Sequence, residues 1–105
     1  MLIKNEIERR INMSITDLPL KRSIHKKTYK NGQLAIFMND IDGQPFAELS
    51  VSKDCVYLDE DEFILKDYSE NTKLVDELMN SRIITLTDRF VLVGSHVCPI
   101  GKVLI

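Results

Sequence analysis

The sequence predicts a single α+β domain: a mainly antiparallel sheet of about five strands, with an N-terminal helix and a helix near residues 70–80 packed on it. Three observations carry this expectation. Short apolar runs are separated by Asn-Gly, Asp-Gly and Gly-Ser steps, as in strands joined by tight turns. One run, Leu74-Val75-x-x-Leu78-Met79, repeats at helical spacing. The chain has 105 residues, 44% of them apolar, which suffices for one core and not for two. The expected division is a helix and connection over 1–22 and a sheet-plus-helix body over 23–105.

Leu2, Ile3, Ile7 and Ile11 recur at intervals of three or four, with Lys4, Glu6, Glu8 and Arg9 in other directions, the pattern of a narrow amphipathic helix. Its stripe packs on the protein's own sheet or, alternatively, on a partner or a second copy as a homodimer. Pro19 disfavours helical geometry at Leu18, so residues 14–22 read as a connection. Ser23 to Lys30 reads as an edge strand, its Lys26, Lys27 and Lys30 discouraging stray pairing, and Asn31-Gly32 turns it into Leu34-Ala35-Ile36-Phe37-Met38. This run is apolar on both faces, so it reads as a central strand. Asp42-Gly43 then reverses the chain into Phe46 to Val51.

Val56-Tyr57-Leu58 precedes four successive acids, Asp59, Glu60, Asp61 and Glu62, which read as a solvated turn before the strand Phe63-Ile64-Leu65. Asp67-x-x-Glu70 has the spacing of a capping box, and Asn71 offers a second cap for the helix that follows. Ile83 to Leu86 and Phe90 to Val93 read as two strands separated by Thr87-Asp88. Pro99 is expected at a strand start or edge, and Val103-Leu104-Ile105 forms a last short apolar segment.

Net charge is −2, unevenly distributed. Residues 1–33 carry eight positive and three negative side chains, residues 34–80 three and twelve, and residues 81–105 three and one. No apolar run approaches the roughly 18 residues of a membrane span, and the charged N-terminus does not resemble a secretory signal. The expected compartment is the cytoplasm, where Cys55 and Cys98 would stay reduced.

Tyr29 with Asn31-Gly32-x-Leu34-Ala35-Ile36, the run Gly43-Gln44-Pro45-Phe46-Ala47-x-Leu49-Ser50-Val51, and Lys66-Asp67-Tyr68-Ser69-Glu70-Asn71 together resemble a small bacterial domain-of-unknown-function family. That family occurs in Gram-positive phages, plasmids and integrative elements. The likeness spans about residues 28–94 and carries no catalytic residue with it. It implies a mobile-element origin, and with it a host protein as target, including inhibition of a host defence system.

Motifs for chemistry are weak. Aligning Gly43 with the glycine of a calcium-binding EF-hand loop puts Met38 and Leu49 where oxygen ligands belong. His25, Cys55, His96 and Cys98 have zinc-ligand chemistry without paired spacing. His96-x-Cys98 places a base and a thiol on one strand face, the basis for an alternative reading as a small Cys/His enzyme or metal protein. The four glycines are too scattered for a phosphate loop. The sequence therefore predicts neither a catalytic residue nor a cofactor nor a metal. The leading expectation is a non-enzymatic protein-binding or regulatory module using the acidic segment Asp54 to Glu70. Its candidate contacts are Asp59, Glu60, Asp61, Glu62, Tyr68 and Asn71, and its expected partner is a basic protein such as a nucleic-acid-processing host enzyme. Direct nucleic-acid binding through Arg9, Arg10, Lys21, Arg22, Lys26 and Lys27 is the remaining alternative, disfavoured by the acidic balance.

Overall fold

The computed structural model describes Met13–Ile15 and residues 23–105. The expected N-terminal helix lies outside these residues. Strands β1 (Met13–Ile15), β2 (Ser23–Thr28), β3 (Leu34–Asn39) and β4 (Pro45–Glu48) form one antiparallel sheet in the order β1-β2-β3-β4. Strands β5 (Ser50–Val51), β6 (Glu62–Leu65), β7 (Ile84–Val93) and β8 (His96–Val103) form a second, in the order β5-β6-β8-β7, with helix α1 (Thr72–Asn80) between β6 and β7. The antiparallel α+β character is as the sequence predicts. Among the described residues, eight strands in two sheets replace the expected five in one: β1 forms at the expected connection, and the run Phe46 to Val51 is divided at Leu49, where the chain passes from one sheet to the other.

The two hairpins of the first sheet follow from their turns. Gly32 and Gly43 have φ of +90° and +83°, the left-handed region that costs glycine nothing. At the second turn, Asp40 Oδ1 accepts the amides of Asp42 and Gln44 at 3.0 Å each, the Asx chemistry that favours this residue there. β2 is an edge only in part: β1 pairs with its first half, from Met13↔His25 to Ile15↔Ser23, while Lys26 to Thr28 are paired among the described residues with β3 alone. Part of the expected connection over 14–22 is thus strand.

The sheets meet at Leu49. β4 and β5 are one stretch of chain, interrupted where Leu49 N–H donates to Ile36 O of β3 (2.9 Å) and Leu49 O accepts from Lys66 N–H beyond β6 (2.9 Å). One residue is thereby bonded to both sheets. Ser50 follows it toward β6, pairing with Leu65, while its buried hydroxyl accepts the Ile36 amide that its backbone has left behind (2.9 Å). Tyr29 O–H closes this corner, donating to Glu48 Oε2 at 2.6 Å and lying 2.9 Å from Ser50 Oγ. Burial and the adjacent Glu48 raise the Tyr29 phenol well above its ordinary pKa.

Asn71 supplies the last part of the corner. Fully buried, its Nδ2 donates to Glu48 O (2.7 Å) and Lys66 O (2.9 Å). This overturns the expected cap. A 3-10 turn, Ser69–Asn71, leads into α1, and neither Tyr68 nor Asn71 makes a side-chain cap hydrogen bond. Asp67 stands five residues before Thr72, out of register with the first α-helical amides. The Glu48 and Lys66 carbonyls hold the buried Asn71 amide better than an exposed helix end could, since burying that amide without acceptors costs more than a surface cap returns.

The main core gathers Ile24, Ile36 and Met38 of the first sheet, Leu49, Phe63 and Leu65, and Leu74 and Leu78 of α1, with Ile83, Ile84 and Val103. A smaller cluster, Ile64, Cys98 and Ile100, fills the other face of the second sheet under Val51, Val56, Leu58 and Tyr68. On the main-core face, Gly101 leaves room for Phe63: a Cβ would come within 3.2 Å of Phe63 Cζ and Thr85 O, a tight contact.

Two further expectations need correction. Thr87-Asp88 does not separate two strands; β7 is continuous and absorbs Thr87 to Arg89 as a bulge against β8. Thr87 Oγ1 holds it, donating to Ile100 O (2.7 Å) and accepting from Arg89 N–H (3.1 Å). Pro99 sits inside β8, a central strand. It lies one residue past the last β6–β8 pair, Ile64↔Ile100, so its missing N–H falls where that ladder has already ended.

α1 ends in a Schellman motif: Ile83 N–H donates to Leu78 O (2.9 Å) and Arg82 N–H to Met79 O (3.1 Å). The left-handed position belongs to Arg82, φ +59°, instead of the usual glycine. Arg82→Gly should therefore stabilise the protein by about 1 kcal/mol, seen as a higher denaturation midpoint at unchanged slope. Asn71→Asp keeps the side chain's shape, removes its N–H donors and sets a carboxylate against two carbonyls. It should cost about 3 kcal/mol or more; a loss below about 0.5 kcal/mol, the ordinary surface value, would sink the role given to Asn71.

Candidate functional site

The largest depression among those found in the described residues lies between the β2–β3 hairpin and the loop joining β5 to β6. It has a volume of about 930 Å³ and is lined by Lys26, Lys27 and Thr28 on one wall and by Tyr57 to Asp61 on the other, with Leu34 and Val103 between. A smaller hollow of about 410 Å³ continues it past Asn31 and Gln33 toward Asp54 and Cys55. The basic and acidic stretches that are separate in sequence therefore face each other across one groove.

The loop carrying the acidic wall is tied down along its length. The Gln33 side chain bonds Lys53 in both directions, Nε2 donating to Lys53 O (2.7 Å) and Oε1 accepting Lys53 N–H (2.9 Å). Asn31 Nδ2 donates to Asp54 Oδ1 at 2.9 Å. From the far side, Arg89 donates through Nη2 to Tyr57 O (2.6 Å) and through Nη1 to Glu62 Oε1 (2.9 Å), and the same oxygen accepts Asp59 N–H (2.9 Å). The β7 bulge is what aims Arg89 at this loop.

The four successive acids thus have two fates. Glu62 is buried at the start of β6 and occupied by Arg89 and its own turn, so it faces no partner. A single position in a run of acids gives no sign in sequence of which side chain the strand will turn inward. Asp59, Glu60 and Asp61 are exposed. Asp59 accepts the Tyr57 hydroxyl at 2.9 Å, a bond that raises the Tyr57 phenol above its ordinary pKa. Glu60 and Asp61 take part in no side-chain hydrogen bond or ion pair among the described residues. Across the groove, Lys26 Nζ donates to Ile105 O (2.9 Å) and the Lys27 ammonium lies 5.5 Å from the Phe37 ring centre. Tyr57 itself is 75% exposed.

Tyr68 and Asn71 are not part of this groove. Asn71 is enclosed at the sheet corner, and Tyr68 is half-buried over the smaller apolar cluster, its ring stacked on His96 at 3.7 Å between centroids and 3° between planes. No hydrogen bond joins the His96 ring to the Cys98 thiol among the described residues; the thiol's contact is with the His96 carbonyl oxygen, at 4.0 Å. Cys98 is fully buried, and burial, with the Asp67 carboxylate as the lesser cause, raises its thiol pKa, the opposite of activation. His25, Cys55, His96 and Cys98 do not converge: among the described residues no three His, Cys, Asp or Glu side chains are grouped to hold a metal ion.

Gln33 and Arg89 escaped the sequence reading. A glutamine after a glycine turn and an arginine in a strand carry no distinctive pattern; the polar break Thr87-Asp88 marked the irregularity that positions Arg89 but not its direction. No helix among the described residues is long and apolar enough to cross a membrane. No family model, curated protein or solved structure matches the chain.

The two thiols should separate cleanly in reactivity. Cys55 is exposed and Cys98 buried, so a thiol reagent at neutral pH should titrate one group in the folded protein and two in denaturant. Two fast-reacting thiols in the native protein would contradict the packing of Cys98.

Proposed function

We propose that this protein is a non-enzymatic binding module whose groove takes a basic, extended segment of another protein. The observation that carries this reading is the pair Glu60 and Asp61, without an ion-pair partner among the described residues, on a loop that is already held from both sides. Holding charges in place before binding reduces the ordering cost of association, and a negative rim speeds encounter with cationic partners. The exposed Tyr57 adds the aromatic surface common at the centre of such contacts, and Leu34 supplies an apolar base.

A host protein with a cationic surface, such as a nucleic-acid-processing enzyme, has the complementary chemistry. The likeness to a mobile-element family supports the same direction, with inhibition of a host system as its physiological form. Direct nucleic-acid binding is less well supported, because Lys26 and Lys27 face carboxylates across the groove and each already has a neighbour of its own.

The test compares the protein with its Asp59→Lys/Glu60→Lys/Asp61→Lys variant by titration against a lysine- and arginine-rich peptide, alongside affinity capture from host extract. The variant should bind at least about tenfold more weakly, and the wild-type affinity should fall with salt. Equal affinity of both proteins at low salt would remove the groove from consideration, and salt-sensitive retention of DNA by the wild type would favour the nucleic-acid reading instead.

A further inference from the structure

The turn that fastens the acidic loop contains a reactive peptide step. Of the chain's asparagines, Asn31 alone precedes a glycine. With no side chain on the following residue, the next amide nitrogen can reach the asparagine side-chain carbonyl, and glycine's conformational freedom supplies the backbone geometry for that approach. Asn31 and Gly32 are both exposed and line the smaller hollow beside Asp54 and Cys55, so water reaches them. The folded turn, however, engages each group that would react. Gly32 N–H, the nucleophile, donates to Tyr29 O (2.9 Å). Asn31 Oδ1 accepts Gln33 N–H (3.1 Å), and Asn31 Nδ2, the leaving group, donates to Asp54 Oδ1 (2.9 Å). The first two bonds lie within the turn, whereas the third joins it to the loop.

We propose that Asn31 is a deamidation site gated by its bond to Asp54, and that its modification unfastens the loop from the β2–β3 hairpin at this point. Once the side chain is released, the Gly32 nitrogen bonds to Asn31 Cγ and its proton passes to solvent. The Cγ–Nδ2 bond then breaks and ammonia departs, leaving a five-membered succinimide. Water opens this ring at either carbonyl. One opening leaves aspartate at position 31; the other leaves isoaspartate, with the main chain routed through the side-chain carbon.

Neither product can restore the original bond. Both replace the Nδ2 donor with a carboxylate beside Asp54 Oδ1, so an attraction becomes a repulsion between like charges. Isoaspartate also adds a carbon to the backbone of a turn closed by Gly32 N–H on Tyr29 O (2.9 Å) and Tyr29 N–H on Gln33 O (2.8 Å), and the longer path does not fit that closure. The inference stands apart from the groove reading, because it concerns how the loop is fastened and not what the loop binds.

The full chain is incubated at neutral pH and residue 31 is followed by peptide mass spectrometry, which reads the exchange of ammonia for water. Asp54→Ala removes the acceptor at an exposed position and should deamidate about fivefold faster than the wild type, the weight of one hydrogen bond to a charged group. Asp54→Asn keeps an acceptor oxygen and should stay close to the wild type. Asn31→Asp, which imitates one product, should speed hydrogen exchange at the Lys53 amide, held to Gln33 Oε1 at 2.9 Å, and leave the Ile36 amide of β3 unchanged. Equal rates in the wild type and Asp54→Ala, or modification of other asparagines that spares Asn31, would overturn the gate. A rise in Asp54→Asn equal to that in Asp54→Ala would do the same, assigning the effect to nearby charge. A Lys53 amide that exchanges no faster in Asn31→Asp would overturn the release of the loop.

Discussion

The structure depends on the corner at Leu49. A chain that leaves one sheet for another must abandon ladder hydrogen bonds on both sides of the break, and each abandoned group is buried. Here replacements are at hand: the Leu49 amide and carbonyl go to different sheets, the Ser50 hydroxyl takes the Ile36 amide, and the Asn71 side chain takes the Glu48 and Lys66 carbonyls. The substitutes come from residues remote in sequence, so the corner also fixes where α1 starts and how β6 leaves its sheet. Asn71 Oδ1 is buried at this corner without a hydrogen-bond partner among the described residues.

From this corner the rest follows by short connections. Tyr29 joins the corner to the β2–β3 hairpin, and that hairpin, through Asn31 and Gln33, holds the loop that forms the acidic wall. Arg89 holds the same loop from the second sheet. The groove is thus shaped by both sheets, and its exposed carboxylates stand on a support of directional bonds instead of a mobile loop.

Much of this was legible in the sequence. Asn31-Gly32 and Asp42-Gly43 marked both hairpins because their backbone demand is local, and the Leu74–Met79 periodicity marked α1 because one face meets the core. What was hidden depends on contacts made at a distance. Asn71 has the identity of a cap, and only its bonds to the Glu48 and Lys66 carbonyls explain why it turns inward. Glu62 looks like its neighbours until Arg89 meets it. Thr87-Asp88 has turn composition, yet a threonine hydroxyl bonded across the ladder turns the break into a bulge. Pro99 is tolerated because the β6–β8 pairing stops at Ile64↔Ile100, which no property of residues 96–103 reveals. The groove itself was visible only as charge segregation, since facing walls are a property of the closed fold.

The distribution of aromatic side chains has a practical consequence. The chain has no tryptophan and three tyrosines, and the fold puts one at each of its distinct regions: Tyr29 in the corner, Tyr57 on the groove and Tyr68 against His96 at the base of the hairpin. Their phenols differ in surroundings from hydrogen-bonded interior to open water to a stacked ring. Near-ultraviolet absorption and tyrosine emission are therefore intrinsic, unlabelled reporters of the protein's separate parts.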